Sequence, residues 1–155
     1  MKTCDKLYRI EKSTSSCRND GGMILEEYLT EIIVESEDID LLNHVNNIAY
    51  IKFFEIARFN WYRKNGIHLK ELMKCGKAFV VRNLDVSYHD EARLGDRLKI
   101  KTIPYKLGNS SFTFKQYIYN EQNKLITEAK VVSVMIDLEK RKSIPVIEEI
   151  AKHFY

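Results

Sequence analysis

Residues 46–65 read NNIAYIKFFEIARFNWYRKN, a run in which Ile48, Ala49, Tyr50, Ile51, Phe53, Phe54, Ile56, Ala57, Phe59, Trp61 and Tyr62 are broken mainly by Lys52, Glu55, Arg58, Arg63 and Lys64. A helix that is apolar around most of its circumference cannot lie on a surface and has to be enclosed. The rest of the chain must therefore supply a wrapping layer. Asn65-Gly66 is a helix stop, because glycine tolerates the left-handed backbone that C-terminal capping uses. His68 to Lys74 has the pattern of a second, short helix.

What wraps the helix is legible in the change of period that follows it. Ile24 to Glu35 mixes β-branched and aromatic residues and suits a first strand, and Ala78 to Tyr88 is β-rich. Leu98, Ile100 and Thr102 alternate with Lys99 and Lys101, and Leu107 to Ser110 reads as a tight turn. Phe112, Phe114, Gln116 and Ile118 share one face of the next strand, Glu121 to Asn123 turns the chain, and Leu125 to Asp137 is a long strand with Ala129, Val131, Ser133 and Met135 on one side. Pro145 is placed to open a terminal helix reaching Phe154. The order predicts an α+β fold in which an antiparallel sheet of about five strands, joined mostly by hairpins, curls around one helix. A single helix leaves sheet surface uncovered, which points to a second copy.

Composition narrows the function classes. The 155 residues suit one domain, and 25 basic residues interleaved with 22 acidic ones give +3, a balance that advertises no nucleic-acid partner. No stretch approaches the roughly 20 uncharged apolar residues of a membrane span. Cys4, Cys17 and Cys75 fit neither a disulfide framework nor the spacing of a metal site. Residues 1–22 lack the apolar core of a secretion signal and carry Asp5, Glu11 and Asp20, so they read as a flexible extension ahead of a domain at 23–155, in a reducing cytoplasm.

The polar break before the long helix holds the chemistry. Asp40-Leu41-Leu42-Asn43-His44-Val45-Asn46-Asn47 sets a carboxylate and an imidazole at the start of a buried helix, whose unpaired N–H groups suit a developing oxyanion. Read without that chemistry, Asp38 or Asp40 ends a strand and Asn46 caps the helix.

The pattern D-x-x-x-H-V-N-N-x-x-Y from Asp40 to Tyr50, continued by Ile51 to Arg58 (IKFFEIAR), Tyr88 to Leu98 (YHDEARLGDRL) and Val134 to Pro145 (VMIDLEKRKSIP), closely resembles the hotdog-fold thioesterases, in particular their 4-hydroxybenzoyl-CoA thioesterase-like branch. The resemblance implies one long helix wrapped by an antiparallel sheet, and hydrolysis of a fatty or aromatic acyl-CoA. It implies Asp40 as the catalytic carboxylate, acting as nucleophile or as general base, and the backbone N–H of Asn47 as oxyanion donor. It also implies active sites between subunits, hence a homodimer or homotetramer, and no cofactor beyond the coenzyme A of the substrate.

His44 is a candidate partner that orients water or the carbonyl. Asn46, Tyr50 and Phe54 are candidates along the substrate, with Phe59 and Trp61 lining or backing an acyl tunnel. Among Lys77, Arg82, Arg93 and Arg97, which flank the family's cleft, Arg93 is the candidate for the coenzyme A phosphates. Glu55 and Arg58, at i and i+3, form a structural pair, and Cys75 has nothing near it in sequence to activate a thiol. Acyl-ACP thioesterases share H-V-N-N but carry an asparagine where this chain has Leu42. An acyl-ACP thioesterase and a non-catalytic acyl-binding protein are the alternative readings.

Overall fold

The computed structural model describes residues 16–18 and 24–154. The elements in chain order are β1 (Ser16–Arg18), β2 (Ile24–Glu26), β3 (Tyr28–Ile33), a 3-10 turn (Ser36–Asp38), α1 (Asn47–Lys64), α2 (Leu69–Lys74), β4 (Lys77–Tyr88), β5 (Arg97–Leu107), β6 (Ser111–Tyr119), β7 (Leu125–Asp137), β8 (Lys142–Ser143) and α3 (Glu148–Ala151). The first expected strand is two, since β2 pairs antiparallel with β1 while β3 joins the main sheet. Apart from β1, the flexible extension expected over 1–22 lies outside the described residues.

The main sheet is antiparallel in the order β3-β5-β6-β7-β4, and the two-residue β8 pairs with β7. The hairpins β5–β6 and β6–β7 form as expected. Residues 89–96 do not form one, because β4 lies at the opposite edge from β5 and the connection has to cross from one side of the sheet to the other. Its Ala92 is tied to Val45 and Tyr50, so the crossing passes the N-terminal end of α1.

Both ends of α1 have a local cause. The Asn46 side chain accepts from Ile48 N–H at 2.9 Å, an N-cap. At the other end Asn65 Nδ2 donates to the Trp61 carbonyl, Gly66 takes φ +73°, and Arg63 and Lys64 face the negative end of the helix dipole. The first half of the helix buries Ala49, Tyr50, Phe53, Phe54 and Ala57 against Ile32, Leu98, Ile100, Ile118 and Val131. The second half buries Trp61 and Tyr62 in an aromatic cluster with Phe112, Phe114 and Phe154, Trp61 and Phe114 meeting edge to face at 4.9 Å.

A polar layer separates the two halves. Buried Arg58 donates to Gln116 Oε1 at 2.9 Å, and Gln116 Nε2 donates to the Phe54 carbonyl and to Thr102 Oγ1. Arg58 thus turns inward instead of pairing along the helix with Glu55, which is exposed and acts on it through charge alone.

Two further expectations need correction. Ile48, Lys52, Glu55, Phe59 and Arg63 form an exposed stripe, so a single chain leaves one side of α1 open. The C-terminal helix is one turn, Glu148–Ala151, and Pro145 precedes it in a segment without regular secondary structure. Ile144 N–H bonds the Met135 carbonyl and Val146 N–H bonds the Asn109 carbonyl, so the backbone on both sides of Pro145 is held by other segments and not by a helix. The turn that follows delivers Ile150 and Phe154 to the aromatic cluster.

Candidate active site

Ile39 and Val45 form an isolated antiparallel bridge, so residues 40–44 fold back on themselves. Asp40 N–H donates to the His44 carbonyl at 2.9 Å, and Asn43 closes the loop at φ +62°, a left-handed backbone that Asn accepts more readily than most residues. The Asp40 carboxylate is held from within this loop: Oδ1 accepts from Leu42 N–H at 2.9 Å and, at a longer 3.4 Å, from His44 N–H. No bond to Oδ2 occurs among the described residues. Leu41 and Leu42 stand at the tip, 102% and 72% exposed.

Asp38, the competing carboxylate, is buried and structural. Its Oδ2 accepts from Glu35 N–H at 3.0 Å and its carbonyl from Asn46 N–H at 2.8 Å. That second bond presents the helix start. Asn46 is spent on the cap, and the N–H of Asn47, first residue of α1, meets no acceptor among the described residues, as expected of a first-turn donor. A free backbone donor at the positive end of a helix, on the loop that holds a partly buried carboxylate, can stabilise an oxyanion while the carboxylate acts on the attacked carbon.

The crossing segment 89–96 forms the other side. Ala92, fully buried, donates its N–H to Tyr50 Oη at 3.0 Å and accepts from Val45 N–H at 2.9 Å. Tyr50 is 3% exposed and anchors this segment, and burial pushes its phenol above the ordinary value. In this chain Tyr50, expected along the substrate, supports the crossing segment from within the core. Phe54, fully buried, is likewise core. The Tyr88 hydroxyl donates to the Asn47 carbonyl at 3.2 Å.

Glu91 was not legible as a site residue. Its Oε2 lies 2.7 Å from His44 Nε2 and its Oε1 2.7 Å from an Arg93 guanidinium nitrogen. Arg93, expected on phosphate, is held by Glu91, and its own N–H donates to Asp96 Oδ2. The hydrogen bond from Arg93 and the charge of His44 hold the Glu91 carboxyl below its ordinary range. No signal in the local sequence pairs His44 with a residue 47 positions away. Arg97 faces Glu121, and Lys77 and Arg82 are exposed along β4.

Among the described residues no group of three or more His, Cys, Asp or Glu is placed to hold a metal ion, and no helix is long and apolar enough to cross a membrane. A cleft of about 760 Å³ lies at the far end of α1, lined by Phe59, Tyr62, Ile67, Leu69 and Phe79 with Arg63 at its rim. Trp61 backs this end from within the core.

Comparison with known proteins bears on the family and the fold. The model of the thioesterase-like superfamily matches residues 34–154. The acyl-CoA thioester hydrolase YbgC of Escherichia coli (strain CFT073) is 38% identical over 106 residues, 68% of this chain and 79% of that protein. The long-chain acyl-CoA thioesterase FadM of Escherichia coli K12 is 31% identical over 116 residues, 74% of this chain and 87% of the relative. A 1,4-dihydroxy-2-naphthoyl-CoA thioesterase from Synechocystis superposes with a TM-score of 0.76 at 21% identity, covering 79% of this chain and 91% of the other. A Staphylococcus aureus protein solved in complex with CoA gives 0.78 at 21% identity, covering 84% and 83%. These superpositions show the hotdog fold.

Proposed function

The chain belongs to the thioesterase-like superfamily, and we propose that it hydrolyses acyl-CoA thioesters at the start of α1. The single observation that carries this reading is the pairing, in one loop, of a carboxylate with an unengaged oxygen and a first-turn N–H with no acceptor among the described residues. The Asn47 N–H receives the thioester oxygen as the carbonyl carbon becomes tetrahedral. Asp40 either attacks that carbon, giving a mixed anhydride that water then hydrolyses to the free acid, or takes a proton from water that attacks it; in both routes the C–S bond breaks and the sulfur leaves as the thiol of coenzyme A once protonated. Water is the only co-reactant this chemistry uses. The exposed free thiol of Cys75 suits a reducing compartment such as the cytoplasm.

A second copy completes the site in this reading. β4 ends the sheet order, so among the described residues one of its edges is unpaired, and it exposes Val80, Val81 and Tyr88. Antiparallel pairing of two β4 edges about a two-fold axis lays the Lys77 end of one strand beside the Tyr88 end of the other. The Tyr88 end adjoins Asn47, whereas Phe79 at the other end lines the 760 Å³ cleft. Each cleft then adjoins the partner's Asp40 and Asn47, with the acyl group in the cleft and the thioester at the helix start.

The test is thiol release from short, medium, long and aromatic acyl-CoAs, with matched acyl carrier protein thioesters beside them. The reading predicts turnover of at least one acyl-CoA class. Background rates with every CoA thioester contradict it, and turnover confined to the carrier-protein substrates moves the assignment to that carrier.

A further inference from the structure

We infer that Glu91 is a positioning residue for this reaction, fixing the His44 ring so that Nδ1 is the nitrogen presented to the attacking water. The inference rests on the function proposed above. It begins from a carboxylate with both oxygens engaged, Oε2 by His44 Nε2 and Oε1 by Arg93, each at 2.7 Å. An ionised carboxylate can only accept, so the His44 nitrogen facing it has to carry the hydrogen. In the neutral ring that leaves Nδ1 as the lone-pair nitrogen, able to accept a hydrogen bond from water. Arg93 is the second link, since its hydrogen bond to Oε1 holds the carboxylate in place with Oε2 turned to His44. The same logic orients a base through a third group wherever nucleophile, base and orienter act in series.

The pair is not what fastens the two segments together. Val45 N–H on the Ala92 carbonyl, Ala92 N–H on Tyr50 Oη, and the Tyr88 hydroxyl on the Asn47 carbonyl already do so. His44 and Glu91 are both more than a third exposed, and an ion pair in that setting contributes little to stability. The other charged groups close to this pair are Asp40, whose Oδ1 accepts from His44 N–H, and Asp90, Arg93 and Asp96 on the side of Glu91. Removing the Glu91 charge should therefore leave the fold in place and act on the orientation of one ring.

Two measurements on the full-length protein test this. Imidazole ¹⁵N shifts at a pH where His44 is neutral should show hydrogen on Nε2 in the wild type and a mixture of tautomers in Glu91→Gln. In thiol release, Glu91→Gln should lower kcat about tenfold with KM little changed. Glu91→Asp should recover part of that loss, and the loss should vanish in a His44→Ala background. Hydrogen on Nδ1 in the wild type overturns the inference. So does a His44→Ala enzyme that turns over like the wild type, or a Glu91→Gln loss of the same size with and without His44. If Glu91→Gln fails to fold, the wild-type tautomer still decides. Failure of every acyl-CoA to react removes the proposed function, while the tautomer measurement still judges Glu91 and His44.

Discussion

Replacing Tyr50 with Phe separates a support from a substrate contact. The ring stays, so its edge contact with Phe53 at 6.2 Å and its tilted packing on Tyr88 at 5.8 Å are kept and no cavity opens. What is lost is the acceptor for the N–H of Ala92, a residue with no exposure, so water cannot replace it. An orphaned buried donor costs about 1–3 kcal/mol. Relief from burying the phenol hydroxyl offsets part of this, so we take about 2 kcal/mol as the net destabilisation. For a domain of this size that lowers Tm by about 4–8 °C. Ala92 still accepts from Val45 N–H, so the crossing segment loosens without detaching. Thermal unfolding read beside thiol release decides the matter: Tm should fall while KM changes little. An unchanged Tm with a raised KM would refute the reasoning and return Tyr50 to the substrate.

Gln116→Leu removes the hydrogen-bond acceptor of the buried Arg58 guanidinium and two further hydrogen bonds, so it should cost about 3 kcal/mol; urea unfolding with an unchanged midpoint would contradict the polar layer. Arg93 and His44 hold Glu91 below its ordinary value of 4.5, so its contacts are complete above that value and are lost as pH falls through the lower folded-state value. An NMR titration of the Glu91 side chain should give a midpoint under 4.5, and one at or above it would show the contacts absent. A mixture of Asp40→Asn chains with cleft-blocked Phe79→Trp chains, each inactive alone, should recover about a quarter of wild-type activity, because half the dimers are mixed and each holds one intact site. No recovery would place cleft and carboxylate in the same chain's site.

Much of the fold is legible in the residues because periodicity reports which face is buried. Phe112, Phe114, Gln116 and Ile118 alternate in sequence and are all fully buried, and Ala129, Val131, Ser133 and Met135 share the inner face of β7. Asn46 and Asn65-Gly66 mark the ends of α1 to within a residue, since caps act over one turn. Periodicity does not report which strand lies beside which. β4 and β5 are neighbours in sequence, yet β4 pairs with β7 and leaves residues 89–96 to cross the helix start. From that single difference follow the contacts that no local motif contains: Ala92 on Tyr50, and Glu91 on His44. Pro145 misleads for a related reason, since its neighbours Ile144 and Val146 bond the carbonyls of Met135 and Asn109 and not those of a helix.

The central claim is that Asp40, and not Asp38 two residues before it, is the reacting carboxylate, and one paired measurement tests it. Asp40→Asn and Asp38→Asn are compared for thiol release per folded molecule and for Tm. The account predicts that Asp40→Asn lowers kcat by about 10²–10⁴-fold with little change in Tm. Asp38→Asn, which weakens the buried contact with Glu35 N–H, should lower Tm and leave kcat within about threefold. An Asp40→Asn enzyme with wild-type kcat, or a loss of chemistry that follows Asp38, would contradict it.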